Sequence, residues 1–237
     1  MLVAASVGCL TLARLTGRAS FFHRLWAVII SRICHRDLEI TGAKRDPSAQ
    51  LIVANHVSYL DVIPMAYIYP DVRPVVMSRI RSWFLIGWFA PGGAILVNDQ
   101  LPESRRQARE EMRKVWKSGG VVFLFPEGRA AHGAPPSVSW RERRRSRFSS
   151  RSIAAGPFRL GPFEEAVASG VTTQGVRISY PPELVAALNG RWFEEKFFWI
   201  LCQNFKIRAH VFPSEPPASD AETLRRTWEE RVRSRPA

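Results

Sequence analysis

Leu51-Ile52-Val53-Ala54-Asn55-His56-Val57-Ser58-Tyr59-Leu60-Asp61 passes from an apolar, partly β-branched run straight into a polar segment carrying a histidine and a carboxylate. The run Leu51 to Ala54 is short enough and apolar enough to be a buried strand. A second run, Val121 to Phe125, ends the same way, in Phe125-Pro126-Glu127-Gly128. Open α/β sheets build their sites outside the carboxyl ends of strands. A histidine and two carboxylates at strand ends therefore point to acid–base chemistry at one edge of a sheet.

Outward from these motifs the elements alternate. Leu38 to Ile40 reads as a short strand, Leu60 to Ile68 as a helix stopped by Pro70, and Pro74 to Met77 as a strand. Trp83 to Phe89 reads as an apolar helix ended by Pro91-Gly92-Gly93, and Ala94 to Val97 as a strand. Pro102 opens a helix in which Ala108, Met112, Val115 and Trp116 recur at helical spacing, and Gly119-Gly120 close it. Beyond Gly128 the pattern loosens. Residues 134–151, with Arg141-Glu142-Arg143-Arg144-Arg145-Ser146-Arg147, read as a solvated loop or flexible insertion. Val176 to Tyr180 and Lys206 to Phe212 read as late strands, and Ala221 to Val232 as a polar terminal helix. This order predicts an α/β fold: a largely parallel central sheet flanked by helices.

The chain has 237 residues, a length suited to one domain with a substantial core, and a formal net charge of +13. Such a charge bears on partners: nucleic acid, an anionic membrane surface or anionic substrates. No recognition helix or aromatic RNA platform is evident, so nucleic acid is the weakest of the three. Cys9, Cys34 and Cys202 are widely spaced and form no zinc pattern; they read as free thiols in a reducing compartment. No metal is expected.

Met1 to Leu12 is apolar, yet lacks the basic start of a secretory signal and is shorter than the roughly 20 residues that span a bilayer. Phe21 to Cys34, read as a helix, gathers Phe22, Leu25, Trp26, Ile29, Ile30 and Ile33 on one broad face, with arginines at its borders. That pattern suits a helix lying among lipid headgroups, and equally an amphipathic helix packed on a core. Trp83, Phe84, Trp88 and Phe89, and again Trp192, Phe193, Phe197, Phe198 and Trp199, are aromatics that suit the same headgroup zone and equally a packed core.

In the first motif, Ser58 as N-cap places Asp61 three residues on, the order of a capping box. Helical side chains lean toward the N-terminus, so Asp61 leans toward the loop that holds His56. A carboxylate beside an imidazole fixes its tautomer. Ser58 and Asp61 acting only as caps is the alternative. Ser58 as a nucleophile is disfavoured, since no nucleophile-elbow sequence surrounds it.

Asn55-His56-Val57-Ser58-Tyr59-Leu60-Asp61, followed much later by Phe125-Pro126-Glu127-Gly128, resembles the glycerolipid acyltransferase family, which includes the bacterial 1-acylglycerol-3-phosphate acyltransferases. The likeness runs from about Asp37 to Gly128 and more weakly beyond. It implies that His56 is a general base taking the proton of a lysoglycerolipid hydroxyl, with Asp61 as its partner. Acyl-CoA or acyl carrier protein would bring the acyl group as a thioester, and no further cofactor is implied. Backbone N–H groups at the start of the helix after His56 are candidates to hold the developing oxyanion. Glu127 and Gly128 would help bind the acceptor, with Arg129 at its phosphate and Ser58 nearby.

The sequence also departs from the family. Asp99 stands where an arginine normally meets the acceptor phosphate, which makes a zwitterionic or amino-acid-containing lysolipid an alternative acceptor. Val171-Thr172-Thr173-Gln174-Gly175-Val176 replaces a proline-bearing motif. These departures also allow a non-catalytic lipid-binding protein. The expected organisation is a membrane-associating segment over residues 1–36 and an acyltransferase domain over 37–237, at the cytosolic face of a membrane (the inner membrane in a bacterium).

Overall fold

A computed structural model of the chain describes residues 8–9, 11–12, 15–33, 36–78, 94–98, 100–128, 156–182, 184 and 205–234. The expected helix over 83–89, the basic stretch 134–151 and the aromatic run 192–204 lie outside the described residues. So do Asp99, Arg129, Cys34 and Cys202. Cys9 is buried and not in a disulfide.

The described residues form a seven-stranded sheet: β1 (Arg36–Gly42), β2 (Ala49–Ala54), β3 (Arg73–Met77), β4 (Ile95–Val97), β5 (Val122–Leu124), β6 (Thr172–Ser179) and β7 (Phe205–Val211). Their order is β1-β7-β6-β2-β5-β3-β4. Every neighbouring pair is parallel except β6 and β7. The expected largely parallel sheet is therefore present. The helices are α1 (Ala19–Ile33), α2 (Val62–Ile68), α3 (Pro102–Lys117), α4 (Gly161–Ala168) and α5 (Ala221–Arg233), and a 3-10 turn over Tyr59–Asp61 leads into α2.

Strand β2 shows why the sheet is central. Its side chains alternate between faces, as a pleated strand requires. Ile52 and Ala54 join a core with Trp26 and Ala27 of α1, Ile63 and Met65 of α2 and Ile207 of β7. Leu51 and Val53 join a second core with Met112 and Trp116 of α3, Phe163 of α4 and Trp228 of α5. Helices thus cover both faces. That is why the strand reads as a continuous apolar run rather than an alternation.

Two elements differ from the sequence expectation. Strand β6 begins at Thr172, not Val176. Thr173 and Gln174 in its polar first half are buried because their polar groups find partners. Gln174 accepts from Tyr69 Oη at 2.7 Å and Asp46 N at 3.1 Å, and donates to the carbonyls of Lys44 and Phe212 at 3.0 Å each. Thr173 Oγ1 accepts the indole N–H of Trp228 at 2.8 Å. Gly175 leaves the space into which that indole packs: a Cβ there would stand 2.4 Å from two ring carbons. The departure in this motif is thus a packing solution for α5. Helix α4 was not anticipated; Pro162 in its first turn and buried Phe163 and Ala166 are its sequence marks.

Helix α1 divides its residues between two environments. Trp26 and Ala27 are buried in the first core, while Phe21 is 61% exposed and Leu25 37%. Among the described residues no helix is long and apolar enough to cross a membrane.

Candidate active site

Three adjacent strands, β6, β2 and β5, deliver the site at their carboxyl ends. β2 runs into Asn55 and His56, β5 into Phe125 and Glu127, and β6 into Tyr180. The connection leaving β2 passes through α2 to β3, beyond β5, while β6 flanks β2 on the other side. Crevices open where connections diverge in this way. Asn55 pins the loop at its base: its Nδ2 donates to Ile178 O at 2.8 Å and its Oδ1 accepts from Ile178 N at 2.7 Å. A side-chain amide here continues the sheet ladder for one step past the strand.

The structure brings His56 and Asp61 together. His56 Nδ1 lies 2.9 Å from Asp61 Oδ2. That oxygen also accepts from the N–H groups of Val57 at 2.7 Å and Ser58 at 3.0 Å, while Oδ1 accepts the Tyr180 hydroxyl at 2.6 Å. Asp61 is fully buried, and four donors satisfy it. Its carboxylate accepts from Nδ1–H, which keeps that proton on Nδ1, directed at Asp61, and leaves the Nε2 lone pair as the basic position. The Phe125 ring stacks on the imidazole with centroids 3.9 Å apart and planes 8° from parallel, and Phe123 meets Phe125 edge-on at 4.7 Å. The ring is held in place by its edge and by one face.

Ser58 is the N-cap of the 3-10 turn, its Oγ accepting from Leu60 N at 3.3 Å, and the expected capping box is present. Five N–H groups at this helix start are committed within the loop: Val57 and Ser58 donate to Asp61, Leu60 to Ser58 Oγ, Asp61 to Ser58 O, and His56 to Glu127. A donor committed in this way is not aimed at a substrate oxygen.

Glu127 lies beside His56, with its side chain 1% exposed. Its Oε2 accepts the His56 backbone N–H at 3.3 Å, and its Oε1 faces Arg233 Nη2 at 3.3 Å. Burial pushes its carboxyl above the usual carboxylate range, against the opposing pulls of Arg233 and His56. Gly128 has φ +72°, which a glycine adopts without strain, and a Cβ on it would come within 2.8 Å of the Arg159 guanidinium. Tyr180 and Arg233 carried no sequence signal of their own. Tyr180 sits at a predicted strand end, but only the strand order puts that end beside β2. No group of three or more metal-ligating side chains occurs among the described residues.

A family model described as Acyltransferase matches residues 37–179. That span includes His56, Ser58, Asp61, Glu127, Gly128 and Arg129, and excludes Tyr180 and all of α5. The chain is 27% identical over 145 residues to the 1-acyl-sn-glycerol-3-phosphate acyltransferase of Neisseria gonorrhoeae, covering 60% of this chain and 48% of that protein. It is 26% identical over 158 residues to the lyso-ornithine lipid O-acyltransferase of Pseudomonas aeruginosa, covering 66% of this chain and 53% of that protein. The matches thus span about half the length of these curated relatives. The crystal structure of the 1-acyl-sn-glycerophosphate acyltransferase PlsC from Thermotoga maritima superposes with a TM-score of 0.52 at 17% identity, covering 98% of this chain and 92% of that one. At that identity the likeness speaks for the fold.

Proposed function

The chain belongs to the acyltransferase family, and from that premise we propose that it moves a fatty acyl group from a thioester donor, acyl-CoA or acyl carrier protein, to the free hydroxyl of a lysoglycerolipid. The observation that carries the proposal is the His56–Asp61 contact of 2.9 Å within a carboxylate held by four donors. Nε2 of His56 accepts the hydroxyl proton as the oxygen attacks the thioester carbonyl carbon. The C–S bond then breaks, and the proton passes from Nε2 to the departing sulfur. A thiolate leaves without strong acid assistance, so one base suffices and no covalent enzyme intermediate is needed. Gly128, whose missing side chain leaves room for the Arg159 guanidinium, turns the chain toward Arg129, which would meet the acceptor's headgroup phosphate. Glu127 and Ser58 support that pocket from within, since both are buried.

A second acceptor class has its own support. The Pseudomonas relative acts on a lyso-ornithine lipid, by its name, and matches as much of the chain as the phosphatidate-type relatives do. Its headgroup carries an amine and a carboxylate instead of a phosphate, which accords with Asp99. Docking at an anionic membrane surface through α1 is supported by exposed Phe21 and Leu25 beside Arg18, Arg24 and Arg32. A free-thiol assay with acyl-CoA and a panel of lysolipids tests the reading. His56→Ala and Asp61→Asn are expected to lose roughly 10²–10⁴-fold in kcat. Wild-type rates in both variants, or vesicle binding without thiol release for every acceptor, would refute it.

A further inference from the structure

The C-terminal helix carries a line of alternating charges on one face. Glu222 meets Arg225 Nη2 at 2.6 Å, Arg225 Nη1 meets Glu229 Oε2, and Glu229 Oε1 meets Arg233 Nη1 at 2.7 Å. The spacings are three, four and four residues, which places all of them along one side of a helix. The line does not stop at the helix. Arg233 Nη2 continues to Glu127 Oε1 at 3.3 Å, and Glu127 Oε2 receives the His56 backbone N–H at 3.3 Å. Arg233 also donates to the Gly156 carbonyl, and its guanidinium stands 4.9 Å from the centre of the Phe158 ring.

Resting on the acyltransferase reading above, we propose that Arg233 is a positioning residue: it holds the Glu127 carboxylate against the His56 backbone N–H, so that α5 fixes where the base stands. Two carboxylates then secure one histidine. Asp61 sets the ring and its tautomer, and Glu127 sets the backbone from which the ring hangs. Two features argue against an ion pair kept for stability alone. Glu127 is buried while Arg233 is only partly so, and the cost of desolvating a carboxylate offsets much of what such a pair gains. Among the described residues Arg233 Nε is moreover buried without an acceptor, an arrangement folded proteins generally avoid. The arrangement therefore carries two unfavourable features, and what it provides is a fixed position for His56.

The test uses the full-length protein. The charged groups acting on Glu127 are Arg233 from α5 and His56 from the loop after β2, with Glu229 behind Arg233. Removing Arg233 takes away the principal group that favours ionised Glu127, so the acid limb of the kcat–pH profile moves to higher pH. Arg233→Met is expected to lower kcat about tenfold with KM for the acyl thioester within about twofold of wild type. Arg233→Lys restores most of that loss. Arg231→Met, which removes another α5 arginine paired with Glu215, is the stability control and leaves the pH profile unmoved. If Arg233→Met does not purify folded, Arg233→Gln, which keeps amide donors without the charge, takes its place. The backbone amide resonance of His56 provides a readout free of turnover: in wild type it titrates with Glu127, and in the Arg233 variant that titration shifts upward. Wild-type kcat and an unmoved pH profile, or an equal shift from Arg231→Met, would overturn the proposal. Failure of the acyl-transfer reading appears separately, as a wild-type protein inert toward every acceptor while the His56 amide still titrates.

Discussion

Gly175→Ala probes how α5 is seated on the sheet. The added methyl carbon would stand 2.4 Å from Cε3 and Cζ3 of Trp228, against an ordinary contact beginning at 3.4 Å, so ring or strand must shift by about 1 Å. The strand resists, because β6 is bonded to β2 on one side and β7 on the other. The ring resists too: it is fully buried, and its N–H is tied to Thr173 Oγ1 on the same strand. Overpacking of this kind costs about 1–3 kcal/mol. Losing the indole hydrogen bond adds about 1 kcal/mol. A total near 2–4 kcal/mol lowers Tm by roughly 5–15 °C in a chain of this length. Calorimetry or guanidinium unfolding measures it. In a Trp228→Leu background the same substitution is expected to cost less than about 1 kcal/mol, since the obstructing ring is gone. A single variant within about 0.5 kcal/mol of wild type, or equal costs in both backgrounds, would refute the account of how helix and strand pack.

Tyr180→Phe leaves Asp61 Oδ1 buried without its donor; a hydrogen bond to a charged group is worth about 1.5–3 kcal/mol, so unfolding free energy falls by that amount. Its kcat drops roughly tenfold, read in the same thiol-release assay, because the carboxylate is then free to rotate away from Nδ1. His210 tests a pH dependence remote from the site. Burial first, and Arg177 second, hold its imidazole below the usual histidine range. The unfolded chain therefore takes up this proton at higher pH than the folded one. The contribution to stability rises with pH between the folded and unfolded pKa values and is lost as pH falls through that interval. Proton NMR of the His210 ring should show a titration midpoint below that of an exposed histidine, and His210→Gln should flatten the acid side of the stability curve.

The centre of the fold was legible because local and global signals agree there. The run 51–54 is buried on both faces, so its composition alone identifies a central strand, and the polar residues that follow it have to lie at the rim. The spacing of Ser58 and Asp61 forecast a capping box, and the same geometry turns Asp61 toward His56. Hydropathy starts strand β6 four residues late because it treats Thr172, Thr173 and Gln174 as exposed. The burial of Thr173 and Gln174 depends on partners distant in the chain, Trp228 and Tyr69 among them. Tyr180 and Arg233 were illegible for a related reason. A tyrosine before two prolines and an arginine near a helix end are ordinary until the strand order places one above Asp61 and the other beside Glu127. Sequence-local rules find what a residue does for its neighbours in the chain; these two act across 119 and 106 residues.

The pairing of β1 with β7 has a consequence for biosynthesis. The partners, Arg36 with Phe205 through Gly42 with Val211, lie 169 residues apart. At a translation rate of about 5–20 residues per second, the leading strand emerges roughly 8–34 s before its mate exists. Throughout that interval its backbone groups and the half-apolar helix before it have no finished sheet to join. A nascent chain in this condition carries an unpaired strand edge. Ribosome-stalled lengths that end before residue 205 should be markedly more protease-sensitive at residues 36–42 than those that extend past 211.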